Sequence, residues 1–290
     1  MKAAVTGSAG QIVQSLLERS TSDIEIIPVG RPALDLSVPA TIGPALERAR
    51  PDIIVNAAAY TAVDQAEAEP DLAMAINRDG AAEVARTAQR LRVPIIQIST
   101  DYVFSGESAE PYRETDAPDP RGVYGRSKLA GEEAMRAEHA APIILRTSWV
   151  YSPFGSNFVK TMLRLAGERD VIRVVDDQTG NPTAAFDAAE GILRVVSWAV
   201  DRPGLAGTFH MSGTGAVTWC GLARQVFAVS AAWGGPVAAV EAIPSSAYPT
   251  SARRPRNSRL DTGLFECTFG MRLPKWEASV ETCVKRLLSA

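Results

Sequence analysis

Hydrophobic positions in the first half of the chain come in short unbroken runs rather than in alternation. Residues 2–6, 24–29, 52–56, 94–99 and 142–148 are brief and rich in Val and Ile. Between them lie longer stretches with apolar residues every three or four positions, at 11–19, 40–50, 72–91 and 124–139. Apolar runs without polar alternation suit strands covered on both faces, the situation in a parallel sheet. Strand and amphipathic helix in repeated succession predict an α/β, doubly wound, Rossmann-like parallel sheet.

After about residue 150 this rhythm loosens. Pro, Gly and polar residues cluster at 152–157, 176–183 and 245–259, and helical periodicity returns at 158–167, 186–200, 218–229 and 276–288. The expected organisation is a dinucleotide-binding domain over 1–150 and a smaller mixed α/β substrate domain over 151–290. The helix at 186–200 is a candidate to return to the first domain. A chain of 290 residues exceeds one typical core, in keeping with two domains.

Composition removes several classes of function. The chain is 46% hydrophobic and 22% charged with a formal net charge of -3, so no overall positive field exists for nucleic acid or an anionic membrane. No apolar run approaches the roughly 18 residues a membrane span needs. The first strand begins at Lys2 and leaves no room for a signal peptide, so a cytoplasmic protein is expected. Cys220, Cys267 and Cys283 are odd in number and widely spaced, without a CxxC pair, and are expected to be packing residues or inert thiols. His139 and His210 lack partners at ligand spacing, and Phe158, Phe227 and Trp276 fall at helix-core positions.

Candidate chemistry begins at the first turn. Val5-Thr6-Gly7-Ser8-Ala9-Gly10-Gln11-Ile12-Val13 leaves the first strand and opens the first helix. Gly7 and Gly10 permit a tight turn, and the helix start offers N–H groups and positive dipole to a pyrophosphate. Val13 stands where a third glycine usually lets helix and strand pack closely, which predicts a slightly displaced helix. The second strand ends Val29-Gly30-Arg31, without the carboxylate that commonly holds a ribose 2′-hydroxyl. Arg31 can instead grip a 2′-phosphate or stand as a solvated loop charge, which favours NADPH with NADH as the alternative.

Ser99-Thr100-Asp101-Tyr102-Val103-Phe104 closes the fourth strand, where open α/β sheets carry their chemistry. Downstream, Tyr124-Gly125-Arg126-Ser127-Lys128 places a phenol and an ammonium at i and i+4 on one helix face. A neighbouring cation favours phenolate and lowers the phenol pKa toward the useful range, while Thr100 can orient the reacting oxygen. Alone, this helical pair is common at surfaces. A nucleotide loop upstream and a strand-end hydroxyl give it weight as a catalytic set of Tyr124, Lys128 and Thr100.

Longer segments carry a resemblance. These are Gly7-x-x-Gly10-Gln11, residues 51–64, 99–104 and 124–128, Arg146-Thr147-Ser148-Trp149-Val150-Tyr151, Asn157-Phe158-Val159, Asp177-Gln178-x-Gly180-x-Pro182-Thr183 and Arg254-Pro255-x-Asn257-Ser258. The chain resembles, over nearly its whole length, the extended short-chain dehydrogenase/reductases, and within them the dTDP-4-dehydrorhamnose reductase family. The resemblance implies NAD(P)H-dependent reduction of the C4 ketone of dTDP-4-dehydro-6-deoxy-L-mannose to dTDP-L-rhamnose. By that likeness Gly10, Gln11 and Ile12 touch the pyrophosphate, and Asp35 and Leu36 lie by the adenosine. Ala59, Tyr60 and Thr61 line the cofactor, and Thr100, Asp101 and Trp149 face the sugar. Tyr124 is the proton donor, and Lys128 holds the nicotinamide ribose. The basic pair Arg253-Arg254 can meet the substrate diphosphate, with Arg254 the substrate-binding candidate. Some family members bind magnesium through carboxylates at a dimer interface; Ser15 and Phe186 stand at two of those places, so no metal is expected. Expected partners are a dTDP-sugar, with no nucleic acid or membrane, in a monomer or homodimer. An epimerase or dehydratase on another nucleotide sugar, or a non-catalytic regulatory subunit, are the alternatives.

Overall fold

A computed structural model describes residues 1–202 and 204–289. The five apolar runs form β1 (Lys2–Thr6), β2 (Glu25–Val29), β3 (Ile53–Asn56), β4 (Ile95–Thr100) and β5 (Ile143–Thr147). Every residue of β3, β4 and β5 is buried, which explains their lack of polar alternation. Helices α1 (Gln11–Glu18), α2 (Ile42–Ala49), α3 (Val63–Ala66), α4 (Pro70–Met74), α5 (Ala81–Leu91) and α6 (Val123–Glu138) fill the connections. The helix expected over 72–91 is thus not uniform: a π-helical segment, Ala75–Gly80, joins α4 to α5.

The later chain contains β6 (Val150–Tyr151), α7 (Phe158–Ala166), β7 (Val171–Val175), β8 (Thr179–Gly180), β9 (Thr183–Ala184) and α8 (Ala185–Asp201). It continues with β10 (Gly207–His210), β11 (Val217–Thr218), α9 (Trp219–Ala232), β12 (Ala239–Ile243), α10 (Gly263–Phe269) and α11 (Trp276–Leu288). The strand β10 and the helix α10 lie outside every element that the periodicity predicts.

The main sheet has six strands in the order β2-β1-β3-β4-β5-β10, with each neighbouring pair parallel. Strand order reverses around β1, so the connections leaving β1 and β3 diverge and open a crevice at the strands' C-terminal ends. Neighbouring residues of one strand serve opposite faces. Ala3, Val5, Ile53, Val55, Ile96 and Ile98 pack against α1, α8 and Phe265 and Phe269 of α10. Ala4, Ile54 and Ile95 pack against α2 and α5. The chain beyond residue 150 therefore supplies a strand and two helices to this sheet as well as building the second lobe.

In that second lobe α7, α9 and α11 enclose a core that includes Tyr151, Phe227, Trp276, Cys220 and Cys283. The parallel pair β7–β12 flanks it. Cys267 is exposed and the other two cysteines are buried.

Two glycines bring α6 onto its neighbours. A Cβ on Gly125 would stand 2.2 Å from the Tyr102 carbonyl oxygen, and one on Gly131 would stand 2.0 Å from that of Asn77. Neither oxygen belongs to a flexible side chain, so the backbone would have to move. Gly131→Ala is expected to lower unfolding free energy by about 1–3 kcal/mol or more, as overpacking does, measured by urea titration. An unchanged midpoint would refute this close approach.

Candidate active site

The turn after β1 lies at the crevice. Gly7 adopts φ +96°, a conformation that favours glycine, and its N–H donates to Val29 O at 2.8 Å. This bond draws the turn against the end of β2. A Cβ on Gly30 would lie 3.0 Å from Gly7 C and Ser8 N, so Gly30 makes room for the turn, a role hidden in the sequence. Ser8, Ala9 and Gly10 are exposed, and no side chain caps α1. The first-turn N–H groups therefore keep the arrangement that suits a pyrophosphate. Val13 is buried among the residues of the β1 face, 3.6 Å from where a Gly7 Cβ would stand.

Gln11 has a second use. Its side-chain oxygen accepts from Ser152 Oγ at 2.8 Å and Asn157 Nδ2 at 2.9 Å, tying the start of α1 to the loop before α7. Arg31 is exposed at the end of β2. The Asp35 carboxylate accepts from Ser37 Oγ and N, and these bonds, with the Arg31 charge, hold its pKa below the ordinary value. Leu36 is turned into the sheet core. Ile12 and Ala57 are partly buried against the other face.

Ala59, Tyr60 and Thr61 follow β3 on the other side of the crevice. Asn77, in the π-helical segment, holds this loop: it accepts from Tyr60 N at 2.8 Å and donates to Tyr60 O at 3.0 Å and Ser127 Oγ at 2.9 Å. Tyr60 donates its phenol to Glu69, and burial together with that carboxylate pushes its pKa up to about 12. The loop and α6 are thereby joined through one buried amide.

Thr100 and Tyr124 meet where β4 ends. The Thr100 hydroxyl lies close to the Tyr124 phenol, and donates to Asp101 Oδ1 at 3.0 Å. The Tyr102 ring meets that of Tyr124 edge-on at 5.6 Å. Lys128, one turn along α6, is buried and donates from Nζ to Ile98 O at 2.7 Å. Burial brings the ammonium down to about 8, against the opposing pull of Glu132. Burial raises the Tyr124 phenol well above its ordinary value, with Thr100 opposing. Burial is thus the largest influence on the phenol, which is protonated at neutral pH.

Asp101 is buried with its Oδ2 unpartnered by hydrogen bonds, and burial lifts its pKa to about 7. Ser258 lies beside it and accepts the Trp149 indole N–H at 3.1 Å. Trp149 has φ +47°, a strained backbone for a bulky residue, and its ring stacks on Trp219 at 3.5 Å and 3°. Gly180 leaves space for that indole, since a Cβ there would stand 2.4 Å from Trp149 Cε2. Trp219 carried no distinguishing signal in the sequence beyond its type.

Arg254 does not stand free. Its guanidinium donates to Tyr102 OH at 3.0 Å and pairs with Asp64, whose other oxygen accepts from Ala252 N at 3.1 Å. Nearby in the chain, Arg253, Arg256 and Arg259 line a cavity of about 670 Å³ with Glu107, Thr179 and Asn257. Arg256 and Arg259 were not distinguishable in the sequence from solvated loop charges; only folding gathers them. Among the described residues, no group of three or more His, Cys, Asp or Glu side chains is placed to hold a metal ion. Ser15 is buried and Phe186 lies under the Arg19 guanidinium at 5.3 Å. His210 is buried, bonded to Tyr112 O, and lowered to about 4 by burial and the Arg146 charge. No helix among the described residues is long and apolar enough to cross a membrane.

The RmlD substrate binding domain family matches residues 1–289. A dTDP-4-dehydrorhamnose reductase of Sinorhizobium fredii is 47% identical, covering 99% of this chain and 98% of the relative. That of Escherichia coli K12 is 44% identical, covering 88% of this chain and 86% of the relative. Among solved structures, the dTDP-4-dehydrorhamnose reductase of Bacillus anthracis in complex with NADP aligns with TM-score 0.91 and 35% identity, covering 98% of this chain and 99% of that one.

Asp101 generates a stability limb with a definite sign. Its folded pKa of about 7 exceeds the ordinary 3.8, so the folded chain retains a proton that the unfolded chain releases. The resulting stability is full below about pH 4 and is lost as pH rises through about 7. Urea unfolding from pH 4 to 8 is expected to show this decline, and Asp101→Asn to remove it. A wild-type slope identical to that of the variant would contradict the raised pKa.

Proposed function

This chain belongs to the dTDP-4-dehydrorhamnose reductase family, and from that premise we propose that it reduces the C4 ketone of dTDP-4-dehydro-6-deoxy-L-mannose to dTDP-L-rhamnose. It is an oxidoreductase, with NADPH as the favoured cofactor and NADH as the alternative. The observation that carries the reading is the closeness of Thr100 and Tyr124 at the end of β4, with buried Lys128 one turn along α6.

When bound, the reduced nicotinamide supplies hydride to C4 of the sugar. The chain's own groups do the rest. Gly7, Gly10, Gln11 and Ile12 present backbone to the pyrophosphate, while Arg31 meets the 2′-phosphate and Asp35 and Leu36 flank the adenosine. Ala59, Tyr60 and Thr61 form the opposite wall of the crevice. Tyr124, protonated at neutral pH, gives its proton to the C4 oxygen as negative charge develops there. Thr100 orients that oxygen. Lys128 holds the ribose, and its positive charge favours the phenolate that Tyr124 becomes.

Asp101 and Trp149 face the sugar in this reading. Arg254 binds the diphosphate, which requires it to exchange its Asp64 carboxylate for a phosphate oxygen. The neighbouring cavity offers three arginines against one glutamate, so a polyanion meets local positive charge although the whole chain is acidic.

The test is an assay of NADPH absorbance with enzymatically generated dTDP-4-dehydro-6-deoxy-L-mannose. Stoichiometric NADPH loss is expected; turnover without net loss would favour an epimerase, and tight nucleotide binding without turnover a regulatory role. Tyr124→Phe is expected to retain cofactor affinity and lose about 10²–10⁴-fold in kcat, the usual contribution of a positioned proton donor. Near-normal activity in that variant would remove Tyr124 from the role. Arg31→Ala is expected to raise the KM for NADPH more than that for NADH, and equal effects would leave Arg31 a solvated charge.

A further inference from the structure

Below Lys128 on α6 lies a carboxylate that the proposed reaction does not use. Glu132 is fully buried. Its Oε1 accepts from Ser99 Oγ and from Arg146 Nε at 2.9 Å, and its Oε2 accepts from Arg146 Nη2 at 2.7 Å. Arg136 Nη2 also donates to Oε2 at 3.3 Å and to Thr208 Oγ1 at 2.8 Å. One carboxylate thus joins α6 to β4 and β5 directly and to β10 through Arg136. Tyr124, Lys128 and Glu132 are spaced i, i+4 and i+8, so they form one stripe of the helix. Ser99 immediately precedes Thr100.

We propose that Glu132, gripped by Arg146 and Ser99, is a positioning residue for the catalytic set: it fixes the Tyr124–Lys128 stripe against the end of β4 and supplies negative charge that keeps the buried Lys128 ammonium ionised. The inference rests on the reductase reading for its kinetic part only. Lys128 has a neutral acceptor, Ile98 O, as its hydrogen-bond partner, so a carboxylate one turn away opposes its desolvation. Other charged and titratable groups stand on the elements around it. Asp101 and Tyr102 lie on the turn after β4, and Arg146 on β5. Glu67 bonds the first turn of α6 through Val123 N, Glu69 immediately precedes α4, and Arg86 of α5 pairs with Glu138 at the far end of the helix. Of these and Glu132, Glu132 acts on the Lys128 charge with the sign that raises its pKa.

A buried ion pair can also be merely structural, so the test must separate the two. Glu132→Gln retains the shape and removes the charge, but leaves the buried Arg146 cation uncompensated. A second variant, Glu132→Leu with Arg146→Met, replaces the pair by apolar groups of similar size, an exchange that protein interiors often tolerate. In both, the alkaline limb of the kcat profile is expected to move to lower pH, by roughly one unit in Glu132→Gln. The apolar double variant is expected to show a smaller shift of the same sign. At pH 6.5, kcat is expected to fall while the KM for NADPH stays near its wild-type value.

A ¹⁵N NMR titration of the Lys128 Nζ provides a readout independent of the substrate. A downward shift in both variants supports the proposal even if the dTDP-sugar is not turned over, in which case the reductase reading alone fails. Folded variants with an unmoved Lys128 titration overturn it, as does a kcat loss that is equal at every pH.

Discussion

The carboxylate of Glu132 is the point on which the registers of four elements converge. A buried ion costs much to desolvate, and only a full set of hydrogen bonds and an opposite charge offset that cost. Arg146 supplies both in a two-point grip, and Ser99 supplies a third bond. Because these partners sit on different strands, a one-residue slide of β5 would leave a charge unpaired, and a slide of β4 would cost the carboxylate a hydrogen bond. Breaking such a pair on one side typically costs about 3–5 kcal/mol. The geometry at Thr100, one residue beyond Ser99, inherits this constraint.

Close backbone approaches complete what the ion pair begins. Gly125 lets the first turn of α6 rest on the Tyr102 carbonyl, and Gly131 lets its middle rest on Asn77. Asn77 then holds the Tyr60 loop, so this loop and α6 share one rigid support. On the other side of the crevice, Gly30 admits the Gly7 turn, and Gln11 couples that turn to the second lobe. The two lobes consequently meet beside the Gly7 turn through specific hydrogen bonds. The electrostatics follow from the same packing: burial lifts Asp101 and Tyr124 and lowers Lys128.

Much of this arrangement was legible along the chain because it depends on local patterns. Five apolar runs mark five strands of the parallel sheet, and Gly7-x-x-Gly10 marks the turn between the first strand and helix. The spacing of Tyr124 and Lys128 places them on one helix face without reference to anything else. β10 was not legible: Gly207-Thr208-Phe209-His210 is short, polar in part, and becomes a strand by pairing with β5. The π-helical break at Ala75–Gly80 and the short helix α10 were likewise hidden, since each depends on neighbours distant in sequence.

What the sequence by itself determined is the set of elements whose own periodicity exceeds local alternatives, and the residue types able to carry proton transfer and phosphate binding. Only the tertiary structure decided their partners. Arg254 read as a candidate for the substrate diphosphate, and folding pairs it with Asp64, 190 positions earlier, and with Tyr102. Trp149 read as a ligand-facing indole, and folding stacks one ring face on Trp219. Lys128 read as a cation beside the phenol, and burial is the largest influence on both groups. The reason is common to all three. Periodicity reports which way a side chain points, whereas charge state and pairing depend on solvent exclusion by residues far away in the chain.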